Sequence, residues 1–155
     1  MTKIDIYAET KGQILAVLEG ENNVTAKMAT VSCLLSQAFP DRFYWTGFYV
    51  VDPLKPEELV VGPYQGTLGC LRIAYGRGVC GTAATTMKTQ LVEDVHALEN
   101  HIACDSASAS EIVVPVVNSA GTLIAVFDVD STELNSFDAT DQTCLEDILC
   151  QVFAQ

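Results

Sequence analysis

Apolar side chains follow a helical period at both ends of the chain and a strand-like pattern between them. Residues 3–20 and 24–38 repeat apolar positions every three or four residues, which predicts two N-terminal helices within 3–38. The segment FDATDQTCLEDILCQVF has the same spacing and carries a good capping residue, Asp138, near its start. It predicts a C-terminal helix over 138–154.

The middle of the chain, residues 43–131, is predicted to form a sheet and its connecting loops. The run 43–51 is rich in aromatic and β-branched residues and, together with 58–64, predicts a first antiparallel hairpin. A second hairpin is predicted from 111–117 and 122–131, which are joined by the turn NSAG. Two shorter elements are predicted between the hairpins, a helix over 82–87 and a strand over 89–94.

Helices at both ends of an antiparallel sheet indicate an α+β fold, in which the helices pack against the sheet. The length of 155 residues fits a single domain over 1–155, and a hydrophobic fraction of 49% supplies ample apolar material for its core. The net charge of -12, with only 8 Lys plus Arg, makes nucleic acids and anionic membranes poor partners. Because no apolar run reaches the roughly 18 residues of a spanning helix and the N-terminus lacks a signal core, we expect a cytoplasmic protein.

Six cysteines require an explanation, because a reducing cytosol normally excludes permanent disulfides. Three of them lie in stretches of helical periodicity, where a cysteine usually behaves as a small buried hydrophobic residue: Cys33, Cys144 and Cys150. The other three lie in loop-rich sequence, in the contexts GTLGC, GRGVCG and HIACDS. Loops of this kind are where function usually resides.

The three cysteines in loop-rich sequence, Cys70, Cys80 and Cys104, suit thiol redox chemistry better than metal binding. Structural zinc sites usually show CxxC pairs or closely spaced histidines, which this sequence lacks, so no metal or cofactor is expected. Redox chemistry needs one thiolate to attack and a second thiol to form a disulfide. Cys104 precedes Ser106 and Ser108, whose hydroxyl and amide groups could stabilise a thiolate, although an inert structural thiol fits the local sequence equally well.

Acidic and aromatic residues make a second set of candidates. Asp128 and Asp130 alternate along one strand and share a face, and Glu111 begins the partner strand. Carboxylates on a largely apolar strand are costly unless they bind a positive group such as an ammonium; the alternative is a strand end that emerges into solvent. Trp45 and Tyr49 also share one strand face, as core residues or as a ligand wall.

The sequence resembles the free methionine-(R)-sulfoxide reductases, which are built on a GAF domain. The runs GPYQGTLGCLRIAYGRGVCGTAA, VEDVHALENHIACDSASASEIVVPV and FDVDS carry the resemblance, which covers roughly residues 40–150. It implies a single GAF domain, with a six-stranded antiparallel sheet flanked by helices, that is usually a homodimer. It also implies reduction of the R sulfoxide of free methionine, with thioredoxin as the reductant.

The resemblance also implies roles for individual residues. Cys104 matches the attacking cysteine and Cys70 its resolving partner, while Cys80 matches a third cysteine of variable role. The remaining matches are substrate-binding residues: Glu111, Asp128 and Asp130 for the acids, and Trp45, with Tyr49 beside it, for the aromatic wall. Gly69 departs from the family, which commonly has alanine before the first cysteine.

Two other functions fit a GAF domain. A small-molecule sensor would leave the cysteines incidental, although an acidic pocket would repel the phosphate of a cyclic nucleotide. A thiol-based redox sensor would use the cysteines but would need no acids. The reductase reading accounts for both sets of residues.

Overall fold

The computed structural model describes residues 1–100 and 106–155, and within them the chain folds as four α-helices and a six-stranded sheet. The helices are Lys3–Val17 (α1), Val24–Ala38 (α2), Gly78–Thr86 (α3) and Ala139–Phe153 (α4). The strands are Trp45–Val51 (β1), Glu58–Gln65 (β2), Arg72–Ala74 (β3), Gln90–Val92 (β4), Ser110–Val117 (β5) and Leu123–Ser131 (β6). A single turn of 3₁₀ helix, Val95–Ala97, follows β4.

The sheet has the strand order β3-β2-β1-β6-β5-β4, and every neighbouring pair is antiparallel. The predicted α+β fold with a six-stranded antiparallel sheet is therefore confirmed. Both predicted hairpins are present, as β1–β2 and β5–β6, and β1 pairs with β6 at the centre of the sheet. This central pairing places the aromatic strand beside the strand that carries Asp128 and Asp130.

The two faces of the sheet carry different structures. On one face, α2 packs on β1 and β2 and α4 packs on β5, with α1 against both helices. This face holds the larger apolar core, in which the rings of Phe48 and Phe127 lie 4.9 Å apart. Helix α3 covers the other face, where it packs on β5 and β6 in a second apolar cluster that also holds Trp45 and Tyr49.

The bounds of two helices differ from the prediction. Helix α1 ends at Val17 rather than at residue 20, and the turn that follows includes Gly20 at a φ of 76°. Helix α3 begins at Gly78, four residues before the predicted start at Thr82. The glycines of GRGVCG have low intrinsic helix propensity, but close packing of this helix on β3 overrides that preference.

The three cysteines with helical spacing are less buried than predicted. Cys33 and Cys144 are half-buried, and Cys150 is exposed. The prediction of a small buried hydrophobic residue is therefore wrong for Cys150, whereas the half-buried Cys144 packs against the larger apolar core. Helix α4 buries Leu149 and Val152 instead, and Cys150 lies on an exposed part of the helix.

Among the described helices, none has the length and apolar character needed to cross a lipid bilayer.

Candidate active site

A pocket on the α3 face of the sheet gathers six of the eight predicted site residues. It encloses about 530 Å³ of empty space, open solvent at its mouth included. The six are Trp45, Tyr49, Cys80, Glu111, Asp128 and Asp130. Cys70 lies in the adjoining loop but does not line the pocket, and Cys104 falls outside the described residues.

The three acids meet because of the register between β5 and β6. Glu111 pairs with Asp130, and Asp128 pairs with Val113, so all three carboxylates project from one face at neighbouring or diagonal positions. Glu111 and Asp128 are only 6% and 4% exposed, while Asp130 is half-buried. Asp128 therefore does not emerge into solvent, which excludes the simpler of the two interpretations of this acid.

The surroundings of Glu111 and Asp128 favour the neutral forms of their carboxyl groups. Burial raises the pKa of Glu111 well above its usual range, and the negative charge of Asp128 adds to the effect. Burial likewise raises the pKa of Asp128, followed by repulsion from Asp130. A carboxyl group held protonated near neutral pH can donate a proton, and a pocket of this charge favours a cationic ligand.

Cys80 lies in the first turn of α3 and is only 4% exposed. Burial raises the pKa of its thiol well above the usual value, and the nearby acids raise it further, Asp128 most strongly. At neutral pH this thiol is therefore protonated and a weak nucleophile. The Cys80 sulfur lies close to one carboxylate oxygen of Glu111 and one of Asp128, and these three atoms are all within 4.8 Å of one another. Among the described residues, this group could ligate a metal ion.

An aromatic row on β1 and β2 lies beside the acids, because Trp45 pairs with Asp130 across β1 and β6. The Trp45 ring stacks on the rings of Tyr49 and Tyr64, with centroids 5.4 and 4.9 Å apart. The indole Nε1 of Trp45 donates to the carbonyl of Thr67 at 2.9 Å, and the Tyr49 hydroxyl is hydrogen-bonded to the backbone of Cys70. These two bonds fix the loop that carries Cys70 against the rim of the pocket.

Gly69 lies between those two bonds. A Cβ atom there would lie 2.9 Å from both Trp45 Cζ2 and the Tyr49 hydroxyl. The glycine therefore allows the loop to approach the aromatic row closely, and it leaves this side of the pocket wider than an alanine would.

Cys70 is half-buried and disulfide-bonded. Four other cysteines are free thiols: Cys33, Cys80, Cys144 and Cys150. A disulfide at Cys70 shows that this loop can hold an oxidised cysteine beside the pocket.

Gly47 is required where β1 passes between β2 and β6. It pairs with Tyr64 on one side and Asp128 on the other, and a Cβ atom there would lie only 2.2 Å from the Cβ of Tyr64. We expect Gly47→Ala to displace Tyr64 from Trp45 and to lower the free energy of unfolding by about 1–3 kcal/mol, measured by thermal melting.

The matched control is Gly12→Ala in α1, where a Cβ would meet nothing within 4 Å. It should raise stability by about 0.5–1 kcal/mol, because alanine has the higher helix propensity. An unchanged melting temperature in Gly47→Ala would contradict the close approach of the two strands.

Two further polar residues, which the sequence alone did not indicate as site residues, also line the pocket. Arg77 is the N-cap residue of α3 and the basic residue of the lining, and Ser108 is 6% exposed beside the acids. Arg77 could have been found only if the helix start at Gly78 had been predicted. Ser108, which the sequence suggests as a partner of a thiolate at Cys104, lines the same pocket as Glu111.

Comparison with known proteins gives consistent matches over nearly the whole chain. The model of a GAF domain family matches residues 36–152. GAF domain-containing protein A from Dictyostelium discoideum is 47% identical over 96% of this chain and 90% of its own length. Free methionine-R-sulfoxide reductase from Escherichia coli (strain K12) is 41% identical over 98% of this chain and 89% of its own.

A solved structure is similar to this fold from end to end. The X-ray structure of free methionine-R-sulfoxide reductase from Neisseria meningitidis, in complex with its substrate, superposes with a TM-score of 0.92. Its sequence is 42% identical, and the match covers 99% of this chain and 89% of that one.

Proposed function

Because the chain belongs to the free methionine-R-sulfoxide reductases of the GAF domain family, we propose that it reduces free L-methionine-(R)-sulfoxide to L-methionine in the pocket under α3. The main support is the group of two buried acids, Glu111 and Asp128, with the half-buried Asp130, beside the stacked ring of Trp45. That arrangement offers acids to an ammonium group and an apolar wall to a thioether-like side chain.

The acids select a free amino acid over a residue within a peptide. A free amino acid brings an ammonium group, which can pair with Asp128 and Asp130 and offset the cost of burying their charge. A methionine sulfoxide within a peptide has no such group and would leave the acids without a cation. The preference for the free amino acid over the peptide should be large, because the acids would remain buried and unpaired in the complex with the peptide.

Arg77 and the start of α3 are suited to the other end of the substrate. The first amide N–H groups of a helix are free to donate hydrogen bonds to an anion, and the helix dipole favours negative charge there. Arg77 adds a positive charge at the same end of α3. The substrate carboxylate would lie here, while the acids hold the ammonium group.

The reaction begins with attack by the thiolate of Cys104 on the electrophilic sulfur of the sulfoxide. The S–O bond of the substrate breaks, and a proton from Glu111 or Asp128 assists as oxygen moves to the enzyme sulfur. Methionine leaves, and Cys104 is left as a sulfenic acid. The Cys70 thiol then attacks that sulfur, releases water and closes a disulfide.

Cys80 has a supporting role in this scheme. Its buried, protonated thiol lies among the acids and is a poor first nucleophile. It can help to bind the sulfoxide oxygen or exchange with the disulfide once substrate has left.

Other parts of the proposal come from the family resemblance. Thioredoxin is the expected reductant of the disulfide, which implies a reducing compartment such as the cytoplasm. The expected assembly is a homodimer.

The proposed reaction is tested by turnover of free L-methionine-(R)-sulfoxide with thioredoxin recycling. We expect activity on the R epimer and none on the S epimer. N-acetyl-methionine-(R)-sulfoxide, which lacks the ammonium charge, should lose about 10²-fold or more in kcat/KM. If the protein reduced no free sulfoxide, the proposal would fail and a ligand-binding role for the GAF domain would gain.

Arg77→Gln tests the position of the substrate carboxylate. We expect KM to rise about 10-fold with a smaller change in kcat, because a charge-assisted contact to the substrate is lost. Arg72→Gln is the control, since Arg72 is ion-paired with Asp52 and Glu58 and does not line the pocket. Equal KM values for the two variants would contradict the role of Arg77.

A further inference from the structure

The floor of the pocket holds three potential metal ligands from three different elements. Cys80 comes from α3, Glu111 from β5 and Asp128 from β6, and each residue is at least nine-tenths buried. One sulfur and two carboxylate oxygens lie within 4.8 Å of one another. In the proposed reaction the acids serve the substrate and none of these groups binds a metal.

A second observation also indicates a ligand at this position. The Oδ1 atom of Asp128 is buried and has no hydrogen-bond partner within residues 1–100 and 106–155. Among the described residues the other such side-chain atom is Thr46 Oγ1, which strand alternation places on the opposite face of the sheet. An unpaired buried carboxylate oxygen is costly, and a cation bound there would remove that cost.

We propose that the reduced protein binds one thiophilic divalent cation of the Zn²⁺ class through Cys80, Glu111 and Asp128. A thiolate with two carboxylates matches the ligand preferences of Zn²⁺, Co²⁺ and Cd²⁺, whereas Mg²⁺ and Ca²⁺ prefer oxygen ligands alone. Three protein ligands leave the fourth tetrahedral position to water from the open side of the pocket.

The geometry requires only a small closure of side chains. In a tetrahedral zinc site, sulfur and oxygen ligands are separated by about 3.5 Å, as bond lengths of about 2.3 and 2.0 Å imply. The observed limit of 4.8 Å is about 1 Å longer, which rotation of the Glu111 side chain can supply.

Titration of the fully reduced protein with Co²⁺ under anaerobic conditions tests the site without any turnover. Tetrahedral cobalt bound by a thiolate gives visible d–d bands and a near-ultraviolet charge-transfer band, and added Zn²⁺ should bleach both. We expect saturation at one equivalent. Absence of both bands, or saturation only at several equivalents, would overturn the proposal.

Variants identify the ligands. Cys80→Ser should abolish the charge-transfer band, and Asp128→Asn should weaken cobalt binding about 10-fold or more while the band itself remains. Cys144→Ser and Glu146→Gln, on the distant helix α4, are the matched controls and should bind like the wild type. A charge-transfer band that survives in Cys80→Ser would assign the thiolate to another cysteine and overturn the site. Melting curves establish that each variant is folded.

A second experiment rests on the proposed function. Zn²⁺ should inhibit reduction of free methionine-(R)-sulfoxide competitively with the substrate, because both need Asp128. Noncompetitive inhibition, unaffected by substrate concentration, would place the metal elsewhere. If the protein reduced no sulfoxide at all, the proposed function would fail while the cobalt titration would still decide the metal site.

Discussion

Cys104→Ser should abolish reduction of free methionine-(R)-sulfoxide, with a loss of at least about 10³-fold, whereas Cys80→Ser should retain activity within about 10-fold of the wild type. The reason is the protonation state of the Cys80 thiol. Cys80 is buried against acids that raise its pKa, so it lacks the thiolate that attack requires. Loss of the covalent nucleophile removes the reaction path through a covalent intermediate, since no neighbouring group can replace the attacking thiolate.

Counting methionine released per enzyme separates the steps. Without a reductant, Cys104→Ser should release none and Cys70→Ser about one equivalent, because the Cys70 variant can form the sulfenic acid but cannot resolve it. Cys150→Ser is the control for a substitution at an exposed thiol and should match the wild type. One equivalent from Cys104→Ser with none from Cys80→Ser would transfer the attack to Cys80.

The sheet was predictable because its strands carry strong local signals. β-Branched and aromatic residues with clear turns between them determine the two hairpins, and the N-terminal helices carry apolar residues at helical spacing. The start of α3 was missed because its glycines are poor helix formers. Gly81 is nevertheless required there, since a Cβ atom would lie 2.5 Å from the carbonyl oxygen of Ala74. Only the packed structure reveals that constraint.

The candidate site was predictable to a similar degree. Alternation along a strand placed Asp128 and Asp130 on one face, but it could not decide whether that face was solvated or covered by α3. The disposition of Glu111 opposite Asp130 depends on strand register, which is a property of the hairpin and not of either strand alone. Arg77 joins the pocket only through the tertiary position of α3, so no local pattern could have selected it.

Asp128→Asn should make the protein more stable and less active. The carboxyl group of Asp128 is buried beside Asp130, which raises its pKa, so ionising it in the folded state is unfavourable. Removing it should raise the free energy of unfolding by about 1 kcal/mol at pH 7, or about 2–4 °C in Tm. The same change removes a charged partner of the substrate and should lower kcat/KM by about 10–100-fold.

The pH dependence gives this prediction its sign. A carboxyl group with a raised pKa binds a proton more tightly in the folded state, so wild-type stability is lost as pH rises from the unfolded pKa, near 4, through the folded pKa. The Tm advantage of Asp128→Asn should therefore be small at pH 4 and grow toward pH 7.

Asp147 is the control with the opposite sign, because its ion pair with Lys11, at 2.6 Å, lowers its pKa. Asp147→Asn should lower the free energy of unfolding by at most a few tenths of a kcal/mol at pH 7 and should leave it unchanged at low pH. An Asp128→Asn variant that is less stable than wild type at pH 7 would show that the carboxylate has a cationic partner in the resting protein.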